Sequence, residues 1–262
     1  MAGRQWLNWG VMTASIAVLV VFLAAWEWLP GLFNVPVFML PPPSRVWTEF
    51  LRMWQAEDLL RHTGITAMET LVGFVLGSLL GLVIGFILGI APRAEMVLSP
   101  YILALQIAPK VAFAPLFVMW LGYTMYPKIL VAVLIVFFPV LINVLSAMRN
   151  MDHDLINLAR SFSATRLQVF RTVQYPTTLP SLFSGLRIAS TLAVIGVVVG
   201  ELVGGNMGLG FLLVFFEGQG NTAGVFVVIA ALTVIGIVAY YAVVWAERRV
   251  LHYLPSKERR VA

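Results

Sequence analysis

Six long apolar stretches, separated by shorter polar segments, dominate the sequence. A helix that crosses a bilayer needs about 20 mostly apolar residues, whereas a membrane barrel strand needs about ten residues of alternating pattern. The observed stretches are too long and too continuous for barrel strands. We therefore predict an all-α polytopic membrane protein with six transmembrane helices, at residues 11–28, 65–90, 97–121, 129–148, 182–203 and 223–246.

The composition agrees with a membrane environment. Of the 262 residues 60% are hydrophobic and 11% are charged, whereas soluble domains have roughly 25% charged residues. The chain has no cysteine, which excludes disulfides, thiol catalysis and thiolate metal sites. The net charge of +5 is first a topology signal in a membrane protein, and nucleic-acid binding is the weaker interpretation.

The positions of lysine and arginine predict the orientation of the chain. With the N-terminus inside, twelve of the 17 basic residues are assigned to the cytoplasmic side, counting Arg187 near the inner end of the fifth span, and Lys110 falls within the third span. Short loops rich in lysine and arginine stay in the cytoplasm, so we expect both termini there. The four basic residues assigned to outer segments are Arg45, Arg52, Arg61 and Lys128.

The polar segments divide the chain into four regions. Residues 1–39 hold the first span, residues 65–250 form the core with five spans and a coupling loop at 149–181, and residues 251–262 form a basic cytoplasmic tail. Residues 40–64 predict an amphipathic segment on the outer membrane face, with packing against neighbouring spans as the alternative. Its apolar stripe at helical spacing contains Val46, Trp47, Phe50, Leu51 and Trp54.

The loop between the fourth and fifth spans contains an unusually polar stretch, residues 152–180. Residues 154–162 and 165–173 predict two short helices, and Pro176 and Pro180 are expected to stop the second one and redirect the chain into the fifth span. Helices this short are not stable alone. We therefore predict a compact knob that docks against the spans and offers a contact to a cytoplasmic partner. A solvated connecting loop is the alternative.

Glycine recurs at every fourth residue of the second span. A step of four residues advances about 40° beyond a full helical turn, so these glycines form a slowly winding groove. Small residues allow close approach of helices in lipid. The groove predicts static tight packing or, alternatively, a sliding contact in a transport cycle, and it consists of Gly73, Gly77, Gly81, Gly85 and Gly89.

Among the ionisable residues inside predicted spans, three stand out, namely Glu69, Lys110 and Glu201. Such groups are costly in lipid and are expected to face protein or water. Lys110 could pair with either acid or attract an anionic substrate. Pro109 and Pro115 interrupt the third span on both sides of it, which is tolerated where the backbone is buried or lines a cavity.

Residues 106–115 are therefore the predicted wall of a substrate pathway. Phe113 and Trp120 would add aromatic surface to it, with contact to lipid or other helices as the alternative. The glycine-rich stretch 204–221 predicts either a re-entrant loop or a loop that rests on the membrane interface. The predicted pathway residues are Glu69, Gln106, Lys110, Phe113, Trp120 and Glu201.

The stretch "NLARSFSATRLQVFRTVQYPTTLP" resembles the cytoplasmic "EAA" loop of permease subunits in binding-protein-dependent ABC importers. The segments "LPPPSRVW", "LVGFVLGSLLGLVIGFILG", "QIAPKVAFAPLFVMWLG" and "SGLRIASTLAVIGVVVGELVGGNMGLGFLL" are also similar to this family, over roughly residues 40–250. They resemble its nitrate/sulfonate/taurine branch, which includes permeases for riboflavin and thiamin pyrimidine precursors.

The resemblance implies a homodimeric pathway in the bacterial inner membrane, a dimer of separate ATPase subunits that bind ATP and Mg, and a solute-binding protein on the outer face. This chain would then be a transport subunit, not an enzyme, with no cofactor of its own. It would move a sulfonate-, nitrate- or taurine-type anion, or a riboflavin- or pyrimidine-type heterocycle, inward by alternating access. The residues that would couple it to the ATPase are Asn157, Ala159, Ser163, Thr165, Arg166 and Phe170.

Details of these residues qualify the resemblance. Phe170 could fill an apolar slot in the partner, and Arg166 reads equally well as a lipid-headgroup anchor. Asn157 stands where the family pattern has glutamate, and Glu69 stands where the branch commonly has arginine. Ser163 replaces a glycine, and because serine does not take a positive φ without strain, the turn must use another geometry or accept some cost.

Two other functions compete with the importer. The acids and Lys110 could serve a proton relay in an ion-gradient-driven secondary transporter, which is the alternative function, although no internal repeat is evident. An intramembrane enzyme is disfavoured because His62, His153 and His252 are far apart and form no ligand pair. The sequence contains no G-x-x-x-x-G-K-[ST] motif, so the energy of ATP must come from another polypeptide.

Overall fold

The computed structural model describes residues 9–55 and 58–252, and these residues form helices and turns without any strand. The predicted all-α fold is therefore confirmed. A 3₁₀ turn, Lys110–Phe113, precedes α5, and a π-helical turn, Phe170–Gln174, joins α8 to α9. The α-helices are α1 (Trp9–Leu32), α2 (Pro43–Gln55), α3 (Asp58–Gly89), α4 (Pro92–Ile107), α5 (Ala114–Leu121), α6 (Met125–Arg149), α7 (His153–Ser161), α8 (Arg166–Val169), α9 (Tyr175–Gly204), α10 (Leu209–Gly218) and α11 (Thr222–Val250).

Five helical segments of the described chain are long and apolar enough to cross a bilayer, and one bent pair can make a sixth crossing. The bent pair, Pro92–Ile107 with Lys110–Leu121, turns by 79° at Pro109, where the sequence predicts an interruption. Each predicted span falls on one of these segments, with the bent pair at the position of the third. The five unbroken segments are Gly10–Leu32, Leu59–Gly89, Met125–Arg149, Arg166–Gly204 and Thr222–Val250.

The chain divides into two compact units. The first takes in the chain up to Arg61 together with Leu212–Ala231, and the second takes in His62–Phe211 and the chain from Leu232 onward. Each unit has its own packing, and the second contains most of the polar side chains that the sequence singles out.

In the first unit, a side chain of α1 binds the first turn of α2. The carboxylate of Glu27 accepts hydrogen bonds from the backbone N–H and the hydroxyl of Ser44, at 3.0 and 2.6 Å. On the polar face of α2, hydrogen bonds from Arg52 are the main cause of a lowered pKa at Glu49. The apolar stripe of α2 stays largely exposed at Trp47 and Trp54, which favours the interfacial interpretation over packing against spans.

In the second unit, α6 is the central helix, and the glycine groove of α3 lies directly against it. A Cβ atom added at Gly77 would lie 2.8 Å from the carbonyl oxygen of Val133, and one added at Gly81 would lie 2.7 Å from that of Phe137. Side chains larger than hydrogen therefore cannot fit without moving backbone. The glycines of the predicted groove thus lie against α6, and sliding of this contact during transport stays a prediction.

The opposite partner of α6 is α9, which also approaches through glycines. A Cβ atom at Gly196 would lie 2.6 Å from the Cα atom of Ala132, and one at Gly200 would lie 2.6 Å from that of Lys128. Ala132 is fully buried, and it also faces Gly73 of α3. Glycines from both sides thus bring three helices close together, and this closeness sets the positions of the polar side chains that follow.

Candidate functional site

A group of buried polar side chains lies around the N-terminal part of α3, from His62 to Glu69. Lys128 of α6 is only 3% exposed, and its ammonium group donates a hydrogen bond to Glu69 Oε1 at 2.9 Å and to the carbonyl of Met207 at 3.3 Å. A buried charge needs such partners to offset the loss of water. This ion pair ties α3, α6 and the turn before α10 to one another.

Glu201 of α9 extends this group towards the first residues of α10. It is 1% exposed; its Oε1 accepts a hydrogen bond from the Thr66 hydroxyl at 2.7 Å, and its Oε2 accepts one from the Gly210 N–H at 2.6 Å. The Thr66 oxygen in turn accepts the N–H of Leu209 at 2.8 Å. The carboxylate and the hydroxyl therefore satisfy backbone donors at the start of α10 that the helix itself leaves unpaired.

His62 completes the same arrangement. Its Nδ1 accepts the N–H of Gly208 at 2.8 Å, and its ring stacks on Phe211 with centroids 5.8 Å apart. Gly208 has a φ of 107°, which favours glycine, and a side chain there would run into the Glu201 carboxylate. We call His62, Thr66, Glu69, Lys128 and Glu201 the buried network. Within the described residues, no cluster of histidines and carboxylates could hold a metal ion.

The predicted pairing of Lys110 with Glu69 or Glu201 is wrong. The lysine that meets Glu69 is Lys128, which the sequence analysis assigned to an outer segment. The reason is that α6 begins at Met125, four residues before the apolar stretch used to predict the span. Lys128 therefore lies inside the helix and faces the acid, and Lys110 is left for another role.

Lys110 lies at the break of the third span. Its ammonium group donates to the backbone carbonyl of Gln106, which belongs to the last turn of α4, and lies 4.7 Å from the ring centroid of Phe138. It borders a cavity of about 310 Å³ together with Gln106 and Asn143. The predicted wall at Gln106 and Lys110 thus faces open space between α4, α6 and α9.

A second cavity, of about 390 Å³, continues from the first and shares Gln106 with it. Besides Gln106, its polar side chains are Ser99 of α4, Ser146 and Arg149 of α6, and Asn150 directly after α6. Arg149 also forms an ion pair with Glu95. We call the polar side chains that border the two cavities the polar seam: Ser99, Gln106, Lys110, Asn143, Ser146, Arg149 and Asn150.

The two aromatic residues predicted for the pathway lie elsewhere. Phe113 stacks on Phe117 with centroids 6.1 Å apart, and Trp120 is exposed. Neither borders the two cavities of the polar seam. Their positions favour the alternative of contact with lipid or with a neighbouring helix.

The polar stretch after α6 does form two short helices, α7 and α8. Asp152 caps α7 by accepting the N–H of Asp154 at 2.8 Å, and Thr165 and Gln168 cap α8 reciprocally. Between them Ser163 has a φ of 58°. The turn therefore keeps the geometry that favours glycine and accepts the cost, which is about 1 kcal/mol for an L-residue in this conformation.

The prediction that Pro176 and Pro180 stop the second helix and redirect the chain is wrong. The chain from Arg166 to Gly204 runs on as one helical segment of 39 residues. Pro176 lies in the first turn of α9, directly after the π-turn, and Pro180 lies within the helix. In the π-turn the N–H of Tyr175 donates to the carbonyl of Phe170, five residues earlier. Pro176 then lies in the first turn of α9, where a missing N–H is tolerated.

Among the predicted coupling residues, Phe170 is already in contact with its own chain. Its ring packs edge-on against Phe86, with centroids 5.2 Å apart, and is partly buried. Its assignment to an apolar slot in a partner is therefore not supported. Ala159 is partly buried, and the other four predicted residues are exposed, namely Asn157, Ser163, Thr165 and Arg166.

Several residues of these sites are not among the predicted site residues. Phe162 is 80% exposed at the tip of the knob, and it is an aromatic residue just before a polar turn. His62 and Thr66 precede Glu69 at helical spacing, so a polar face of α3 was visible in the pattern. Asn143 is a lone amide in an apolar span, and that contrast was a usable signal.

Comparisons with known proteins agree with this architecture. The chain is 37% identical over 252 residues to the riboflavin transport system permease protein RibX of Chloroflexus aurantiacus, covering 96% of this chain and 94% of that one. It is 32% identical over 225 residues to the formylaminopyrimidine transport permease protein ThiX of Halalkalibacterium halodurans, covering 86% and 89%. It is 30% identical over 234 residues to the taurine transport system permease protein TauC of Escherichia coli, covering 87% and 84%.

A solved structure and a family description add to these relatives. The fold is similar to a chain of the methionine ABC transporter MetNI in an inward-facing conformation, with a TM-score of 0.65 and 22% identity, covering 75% of this chain and 97% of that one. Residues 60–252 match the family described as binding-protein-dependent transport system inner membrane component. The chain therefore belongs to this family, and it is a multi-pass inner-membrane permease subunit of an ABC importer.

Proposed function

We propose that this permease forms the translocation pathway as a homodimer and receives its drive at the knob formed by α7 and α8, where a separate ATPase dimer that holds ATP and Mg would bind. A solute-binding protein would deliver the substrate on the opposite face. Both termini and the knob would then lie in the cytoplasm, as the distribution of lysine and arginine favours.

The observation that carries the proposal is the exposed apolar tip of the knob. Phe162 and Leu158 are 80% and 57% exposed, and Leu155 and Leu167 of the same loop are exposed as well. Large apolar side chains grouped in water mark a surface for another protein. Arg166, four residues after Phe162, is also exposed, so the contact would combine apolar side chains with a basic one.

The continuous helix behind the knob supports a mechanical link. The segment Arg166–Gly204 has no break between the knob and Glu201, which holds the start of α10. A continuous helix transmits a displacement from one end to the other better than the interrupted chain predicted from Pro176 and Pro180 would. A shift of the knob on ATP binding would therefore reach the buried network directly and change access between the two faces by alternating access.

The relatives include permeases for a vitamin, a pyrimidine derivative and a sulfonate. We infer that this chain takes either a sulfonate-, nitrate- or taurine-type anion or a riboflavin- or pyrimidine-type heterocycle. The predicted pathway residues Gln106 and Lys110 border an open cavity and are the candidates among the predicted set for contact with it.

The proposal is tested by co-purifying the permease with the ATPase subunit expressed from the same genome. Phe162→Ala should lower the amount of bound ATPase at least about fivefold and leave the thermal stability of the permease unchanged. The matched control is Tyr123→Ala, because Tyr123 is also an exposed aromatic residue and lies at the other end of α6. Phe170→Ala should instead lower the stability, since its ring is part of the core.

Two results would contradict the proposal. Equal ATPase recovery from Phe162→Ala and wild type would remove the knob from the interface. Uptake into proteoliposomes that follows a proton gradient and needs no ATPase would favour the secondary transporter instead.

A further inference from the structure

Among the described residues, no carboxylate forms an ion pair with Lys110. Its ammonium group donates hydrogen bonds to the backbone carbonyl of Gln106 and, at 3.5 Å, to that of Ala108. It also lies over the face of the Phe138 ring. In the described chain, each carboxylate in an ion pair has another base as its partner, namely Arg52, Lys128, Arg149 or Arg187. An ionisable group in a span that lacks a counter-charge points to a ligand or an ion path.

The cavity beside Lys110 offers further groups of matching chemistry. The side-chain amides of Gln106 and Asn143 border it, and amide N–H groups donate to anionic oxygens. Asn143 is held in place because its Nδ2 donates to the carbonyl of Pro139 at 2.8 Å. The remaining wall is apolar and includes Ile142 and Leu192. The cavity therefore suits a molecule with a charged oxygen-rich head and an apolar body.

The seam continues from this cavity towards Arg149, whose charge is already paired with Glu95. The neighbouring cavity shares Gln106 and Ile142 and reaches Arg149 at the knob end of α6, past the hydroxyls of Ser99 and Ser146. Such a row of donors is costly against lipid, so this face requires water or protein. The Lys110 ammonium group and the hydrogen-bond donors from there to Arg149 form a path along which an anion could leave.

Resting on the proposed importer function, we propose that the transported solute is an anion whose charged group binds at Lys110, Gln106 and Asn143 and moves along the polar seam towards Arg149. The site chooses the anion over the neutral heterocycle because a neutral ring would leave the ammonium without a counter-charge. The Phe138 ring, already covered by Lys110, offers no free face for stacking.

The test uses the complete complex with its binding protein in proteoliposomes, and ATP-driven uptake of ethanesulfonate and of neutral riboflavin is measured. We expect uptake of ethanesulfonate, with KM raised at least about tenfold in Lys110→Gln and largely restored in Lys110→Arg. Arg93→Gln is the matched control, because Arg93 is exposed on the same α4 helix and borders neither cavity. Its KM should equal that of wild type.

If neither probe enters, the solute released from the heat-denatured binding protein is identified by mass spectrometry and becomes the probe. A neutral or cationic solute, or ATP-driven uptake that Lys110→Gln leaves unchanged, overturns the anion site and leaves the importer function standing. Lys110→Gln that loses only a bound anionic lipid, with uptake unaffected, also overturns it. Uptake that needs no ATP would instead refute the proposed function.

Discussion

Two lysines in the second unit occupy opposite environments. Lys128 is buried, and its ammonium group is shared between Glu69 and the carbonyl of Met207. Lys110 is only partly buried and borders an open cavity. Its ammonium group contacts backbone carbonyls and an aromatic ring and has no carboxylate partner among the described residues. The first charge is used inside the chain to hold helices together. The second is available to a molecule from outside.

The contrast extends to the groups around each lysine. The buried network satisfies the start of α10 with one carboxylate, one hydroxyl and one imidazole, from Glu201, Thr66 and His62. The polar seam instead presents amides and hydroxyls to open space. A buried and satisfied group acts mainly on stability, while an uncompensated group beside a cavity acts mainly on binding. Substitutions can separate these two effects.

The largest loss of stability is expected from Lys128→Met. It leaves the Glu69 carboxylate buried without a counter-charge, and breaking a buried pair in this way costs about 3–5 kcal/mol. We expect a strongly lowered denaturation temperature of the permease in detergent. The double variant Lys128→Met with Glu69→Gln removes both charges and should recover much of the loss. A double variant as unstable as the single one would show that the charges do not act as a pair.

Glu201→Ala should follow with a loss of about 2–3 kcal/mol, because the N–H of Gly210 and the hydroxyl of Thr66 lose their acceptor in a buried site. Glu201→Gln keeps one acceptor oxygen and should lose about half as much. Thermal denaturation and protection of the α10 amides from hydrogen exchange measure the effect. The matched control is Glu217→Ala, since Glu217 is exposed on α10; an equal loss there would remove any special role of Glu201.

Much of this fold follows from simple periodicities in the sequence. Length and hydropathy locate the five unbroken spans and the bent pair, because lipid requires about 20 apolar residues for each crossing. The fourfold glycine spacing locates the surface of α3 that meets α6, because a backbone without Cβ is the only way to reach that distance. Pro109 marks the break in the third span for an equally local reason.

The partners of the charged residues could not be read in the same way. Pairing depends on the rotation of each helix and on the 79° bend, and neither is encoded in a local window. Lys128 was assigned to a loop because it lies one residue before the apolar stretch. Phe162 and Phe170 are both aromatic residues in a polar loop, and only the docking of the loop on the core decides which one is buried.

A smaller loss of about 1–3 kcal/mol is expected from Gly81→Ala, because the new methyl group would meet the carbonyl oxygen of Phe137 at 2.7 Å and α6 would have to move. Gly64→Ala on the same helix is the matched control. Nothing lies within 4 Å of a Cβ there, so stability should stay equal or rise by the helix preference of alanine. Equal denaturation temperatures for both variants would mean that the groove is not tightly packed.

The smallest effect on stability is expected from Lys110→Gln. The side chain is partly buried, its contacts are to carbonyls and a ring, and its removal leaves no carboxylate without a partner. The free energy of unfolding should therefore change by less than about 1 kcal/mol, while uptake of an anion falls. Lys128→Met should show the reverse order, with stability lost first. Removing a residue whose role is to bind ligand should leave the fold without ligand nearly unchanged. If Lys110→Gln instead lowers the denaturation temperature as much as Lys128→Met does, Lys110 acts as a structural cap of α4.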